Sequence, residues 1–138
     1  MPAWIWEAGA VKLLRVHHIA IIGTDYERSK HFYTSVLGFE LLEEVYREER
    51  ESWMGKLALD GAYIVELFSF PEPAVRPTWP EATGLRHLAF AVDDVEGTLA
   101  ELDELGVRHE ELRVDPYTRK AMAFFFDPDG LPLELYEA

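Results

Sequence analysis

A chain of 138 residues without cysteine has the length of one domain and draws nothing from disulfides or thiolate chemistry. Its 13 lysines and arginines are outnumbered by 26 aspartates and glutamates, a formal charge of −13 that repels phosphate backbones and argues against nucleic-acid binding. No stretch approaches the roughly 20 apolar residues of a membrane span. Trp4, Ile5 and Trp6 are followed at once by Glu7 and have no basic leader, so no secretory signal or membrane partner is expected and the expected setting is the cytoplasm.

Val16 to Ile22 is a β-branched, apolar run that reads as a buried strand. A helix from about Asp25 to Val36 follows, with Asp25 as cap, Phe32, Val36 and Leu37 as apolar face and Gly38 as stop. Phe39 to Arg47 and Trp53 to Leu59 read as strands, and Asp60-Gly61 is a hairpin signal leading into a strand from Tyr63 to Phe70. Four prolines between Pro71 and Thr83 mark a linker. The order then repeats, with a strand from Leu85 to Val92, a helix from Val95 to Leu105, and Gly106 as its stop. Strands from Val107 to Val114, Lys120 to Phe126 and Leu133 to Glu137 complete it, with Pro128-Asp129-Gly130 turning into the last.

The prediction is therefore an α+β fold in which two paired β-α-β-β-β modules form a curved mixed-sheet trough. Residues 1–138 are read as one domain, with the first module at 14–70, the linker at 71–83 and the second module at 84–138. Neither module can cover both faces of its own sheet, so each needs the other. Pairing within one chain and exchange across a homodimer both satisfy that need.

Val16-His17-His18-Ile19-Ala20-Ile21 is echoed by Leu85-Arg86-His87-Leu88-Ala89-Phe90, and Asp25 by Asp94. The echo reaches the last strand of each unit, where Glu66 and Glu134 interrupt apolar runs. An unpaired buried carboxylate is expensive, so each needs a partner. Two imidazoles and two carboxylates suit a divalent first-row metal: His18, Glu66, His87 and Glu134 are the candidate ligands of nickel, zinc, manganese, cobalt or iron. Magnesium suits such a set less well. His17 is expected on the opposite face by strand alternation, His31 and His109 at the surface, and Glu137 as an exposed charge. Arg47, Arg50, Lys56, Arg86 and Arg119 are candidate anion-binding groups. Trp53 and Tyr117 are candidate covers for a pocket.

At these positions the chain resembles the vicinal oxygen chelate superfamily, which comprises glyoxalases, bleomycin resistance proteins and dioxygenases. The resemblance is strongest to the small glyoxalase-like group named after bacterial YaeR. It rests on Val16-His17-His18-Ile19-Ala20, Glu66-Leu67-Phe68-Ser69-Phe70, Gly84-Leu85-Arg86-His87-Leu88-Ala89-Phe90, Val114-Asp115-Pro116-Tyr117-Thr118 and the run from Asp127 to Glu137. It implies His18, Glu66, His87 and Glu134 as metal ligands of a glyoxalase-like lyase or isomerase, a cytoplasmic homodimer acting on a small oxygenated electrophile. A methylglyoxal–thiol hemithioacetal is one such substrate. It also implies that Glu66 or Glu134 is the catalytic base, and the sequence does not separate them. Two alternatives carry the same scaffold: a noncatalytic small-molecule binding or resistance protein, which does not need four ligands, and an extradiol-type dioxygenase, against which the fourth ligand argues.

Overall fold

The computed structural model describes residues 11–138. The reading of Trp4, Ile5, Trp6 and Glu7 as no secretory leader lies outside the described residues. Among the described residues, no helix is long and apolar enough to cross a membrane.

The first module runs β1 (Ile19–Ile22), α1 (Tyr26–His31), β2 (Glu40–Arg47), β3 (Ser52–Leu59) and β4 (Ala62–Phe68). The second runs β5 (Leu88–Val92), α2 (Val95–Glu104), β6 (Arg113–Val114), β7 (Ala121–Phe126) and β8 (Pro132–Glu137). Each makes a four-stranded mixed sheet of the same topology, in the orders β1-β4-β3-β2 and β5-β8-β7-β6, with the first pair parallel and the rest antiparallel. The predicted pair of β-α-β-β-β modules is thus the observed one.

Repeated local chemistry builds the repeated elements. Asp25 caps α1 by accepting from the Arg28 N–H at 3.1 Å, and Asp94 caps α2 by accepting from the Gly97 N–H at 3.0 Å. Such caps are worth about 1 kcal/mol each. Gly38 and Gly106 follow the helices with φ of +83° and +72°, backbone that a side chain would strain. The helix does not remain α-helical to Val36. After His31 it widens into a π-helical turn over Phe32–Val36, closed by Leu37 N–H donating to Phe32 O at 3.0 Å. Phe32 is buried as expected and Val36 and Leu37 pack partly buried against the core, while Tyr26, Ser29 and Tyr33 add buried positions outside the expected face.

One core serves both modules. Ile21, Phe32, Tyr33, Phe39, Leu57, Val65 and Leu67 of the first pack with Val95, Leu99, Leu102, Phe125, Leu133 and Leu135 of the second. Each fully buried side chain of this size contributes about 1.5–3 kcal/mol. Polar clasps reinforce the seam: Tyr33 donates its hydroxyl to buried Asp127 at 2.9 Å, and Asp129 accepts from the Thr24 N–H at 3.2 Å and from Arg28 at 3.2 Å. Burial raises the Asp127 carboxyl above the ordinary aspartate range, against the pull of its hydrogen bonds from Leu131, Tyr33 and Asp129.

Three expected elements differ. The ladders begin at Ile19 and Leu88, so Val16–His18 and Leu85–His87 precede the strands instead of belonging to them. The expected strand from Val107 to Val114 is reduced to Arg113–Val114 and an isolated bridge from His109 to Phe125. Its charged residues Arg108, Glu110 and Glu111 favour water over continuous pairing at a sheet edge.

Candidate metal and substrate site

Register brings each histidine to its glutamate. Ala20 pairs with Glu66 across β1 and β4, and Ala89 pairs with Glu134 across β5 and β8. His18 and His87 stand immediately before the two strands, and their rings reach the carboxylates paired to these alanines. Val65, Leu67, Leu133 and Leu135 alternate onto the other face and into the core. The sheets thus carry equivalent pairs on the faces turned away from that core: His18 Nε2 lies 3.7 Å from Glu66 Oε1, and His87 Nε2 lies 3.9 Å from Glu134 Oε1.

Both separations exceed a hydrogen bond. They are close to the span of roughly 3–3.5 Å between a nitrogen and an oxygen that each sit about 2.1 Å from one ion. The donor chemistry and the facing geometry fit half of a metal site in each sheet. Among the described residues, no group of three or more such side chains is gathered, so the four candidates form two separate pairs.

The pairs have unlike supports. Tyr63 stacks on His18, with centroids 5.2 Å apart and planes at 14°, and its hydroxyl donates to Glu66 Oε2 at 3.1 Å. Burial first and the Glu66 hydrogen bond second push its phenol up to about 12. On the other sheet Leu131 stands three residues before Glu134, where Tyr63 stands before Glu66. His87 meets the edge of Phe124 at 5.0 Å.

His17 is not on the opposite face. Its Nδ1 lies 2.8 Å from His18 Nδ1, and its ring meets Tyr63 edge-on at 5.4 Å. Because the ladder begins only at Ile19, strand alternation does not constrain it. His109 is more than a surface residue: Nε2 lies 2.6 Å from Asp103 and Nδ1 lies 2.7 Å from the Glu110 carbonyl. Glu137 also differs from expectation, since it is part-buried and accepts from the Ala121 N–H at 3.2 Å.

Trp53 is packing, stacked on Tyr26 at 5.5 Å, while Tyr117 is 93% exposed. The Asp115–Thr118 segment is the β6–β7 turn. Asp115 accepts from Tyr117 N–H at 2.8 Å and from the Tyr136 hydroxyl at 2.9 Å, two residues along β8 from Glu134. Lys56 is paired to Glu43 at 3.2 Å. Arg47 and Arg50 lie over Phe70, and Arg47 also over Phe68. Arg119 adopts φ +66° in the β6–β7 connection. Sequence reading singled out Arg86 but missed Tyr63, Arg76, Arg113 and Phe124. The last three line a cavity of about 400 Å³ with Arg86, under the linker.

The profile of the Glyoxalase/Bleomycin resistance protein/Dioxygenase superfamily matches residues 15–135. The chain belongs to this superfamily. Within the glyoxalase superfamily it is 63% identical to YaeR of Escherichia coli K12 over 91% of this chain and 97% of that one. A glyoxalase family protein from Enterococcus faecalis has a crystal structure that superposes with TM-score 0.84 at 48% identity, covering 89% of this chain and 97% of that one. The lactoylglutathione lyase of Schizosaccharomyces pombe is a more distant member, 29% identical over 88% of this chain and 46% of its own length.

Proposed function

We propose that this chain is a glyoxalase-like, divalent-metal-dependent lyase or isomerase acting on a small oxygenated electrophile, such as the hemithioacetal of methylglyoxal and a thiol. The observation that carries this reading is the recurrence of one His–Glu pair, in one register, on the core-averted face of both sheets. The lactoylglutathione lyase relative supports the reaction class.

A homodimer completes the site in this reading: His18 and Glu66 of one copy meet His87 and Glu134 of the other, joining the two half-sites. The ion, nickel, zinc, manganese, cobalt or iron, supplies a Lewis acid that polarises the substrate's adjacent oxygens. Glu66, tied to Tyr63, is the fixed ligand. Glu134 has no such tether among the described residues and is the general base. It takes the proton from the carbon bearing sulfur and hydroxyl and returns it to the neighbouring carbonyl carbon, while the hydroxyl proton passes from the first carbon's oxygen to the second's, so the hemithioacetal becomes its isomeric hydroxy-thioester with no net change in atoms.

As-purified metal analysis followed by reconstitution with each of the five metals tests this, with methylglyoxal and several thiols as substrates. Conversion with at least one metal is expected, and His18→Ala or His87→Ala should each sharply lower metal content. Absence of turnover with every metal and thiol would sink the reading.

A further inference from the structure

The cavity lined by Arg76, Arg86, Arg113, Phe124, Phe126 and Pro132 gathers three guanidinium groups in a chain whose overall charge is −13. Its basic lining is therefore local, set against the field of the rest of the surface. Arg86 and Arg113 both stand over the Phe124 ring, with guanidinium carbons 5.6 and 5.3 Å from its centroid. A guanidinium held over a ring by cation–π attraction still has N–H groups to offer a planar acceptor.

The neighbouring groups set how free these cations are. Arg76 is engaged with backbone: its Nη2 donates to the carbonyls of Leu85 at 2.9 Å and Arg86 at 3.2 Å, fixing the linker beside the next strand. Arg86 has one polar contact, to His87 Nδ1 at 3.3 Å, and no carboxylate partner among the described residues. Arg113 faces Glu110 at 3.6 Å, an exposed pair of the kind worth about 0–1 kcal/mol and open to exchange. Glu81 is the other acid of the lining.

The cavity also adjoins the reaction site proposed above. Phe124 is opposite Glu134 in the β7–β8 ladder and touches the His87 ring at 5.0 Å. Apolar surface continues along Phe126, Pro132 and Leu85. We propose that this cavity is a carboxylate subsite for a small organic acid, with the carboxylate between the N–H edges of Arg86 and Arg113 and the apolar body on Phe126 and Pro132. This rests on reading His87 and Glu134 as half of the reaction site, and narrows that site's substrate to one carrying a carboxylate away from its reacting oxygens.

Calorimetric titration of the full chain, stripped of metal and dialysed free of chelator, tests the subsite without the metal as a competing anion receptor. Benzoate is the probe and benzamide its uncharged counterpart. Benzoate should bind about tenfold or more tightly than benzamide, and Arg86→Gln or Arg113→Gln should each remove about tenfold of that affinity, while Arg15→Gln, at an exposed residue outside the cavity lining, leaves it unchanged. The Nε–H signals of Arg86 and Arg113 in an NMR titration of the unsubstituted chain should move with benzoate, giving the same reading where a variant fails to fold. Absence of benzoate binding, equal binding of benzamide, or full affinity in both folded variants overturns the proposal. Inorganic phosphate that displaces benzoate at equal concentration also overturns it, since a bare anion needs no apolar floor. Metal uptake is measured separately, so benzoate binding without it would leave the subsite standing and the metal reading failed, and the reverse result would do the opposite.

Discussion

Tyr63 touches both members of the first His–Glu pair, and a backbone irregularity puts it there. Strict alternation places residues three apart on opposite faces, so Tyr63 belongs with Val65 and away from Glu66. The β3–β4 register shifts between Leu57 and Ala58, pairing Leu57 with Val65 but Ala58 with Tyr63, and Ile64 becomes the extra residue of a bulge. The bulge returns Tyr63 to the face of Glu66 and His18. A group that orients a ligand through a hydrogen bond commonly carries 10–100-fold in metal affinity. Tyr63→Phe keeps the stacked ring and deletes only the donor, so it should weaken metal binding by about tenfold with little change in thermal midpoint. Competitive metal titration against a chromophoric chelator measures this. Unchanged affinity would reduce Tyr63 to packing.

At the scale of elements, periodicity and turn chemistry expose what is local, and the two modules repeat their local chemistry. The caps Asp25 and Asp94, the glycines Gly38 and Gly106 and the Asp60-Gly61 hairpin were all legible, whereas the four candidate ligands were read as one set and their division into two His–Glu pairs was not. Alternation conceals bulges, so Tyr63 was not legible. Arg76, Arg113 and Phe124 are scattered over a linker and two strands, and only tertiary packing makes them neighbours. The edge near His109 was overread as strand, yet it has a titratable tie of its own. The Glu110 carbonyl and then Asp103 hold the His109 imidazolium above its ordinary value of 6.5, against a partial desolvation cost. A raised folded-state value stabilises the fold fully below the unfolded value near 6.5 and loses that contribution as pH rises through the folded value. Thermal midpoints should therefore fall as pH climbs from about 6.5, and His109→Gln should flatten that part of the profile. An identical slope in the variant would remove the tie between α2 and the sheet edge from the stability of the fold.

The whole molecule joins its modules through one core while carrying a His–Glu pair on each sheet, and the metal site proposed above sets a requirement on assembly. Two copies in twofold register, as proposed, form two sites, each taking its first half from one copy and its second half from the other. His18→Ala disables the first half and His87→Ala the second, so neither variant alone can build an intact site. In a mixed dimer of the two, one site combines both defects and the other combines both intact halves. Equal amounts, dissociated and reassembled together, give about half mixed dimers and so restore about a quarter of the sites. Metal content per chain after joint reassembly reads this directly, with separately treated variants combined only after reassembly as the baseline. Recovery toward a quarter of the unsubstituted level is the expected result. No recovery, with subunit exchange verified by a size tag on one variant, would instead place both halves of each site within a single chain.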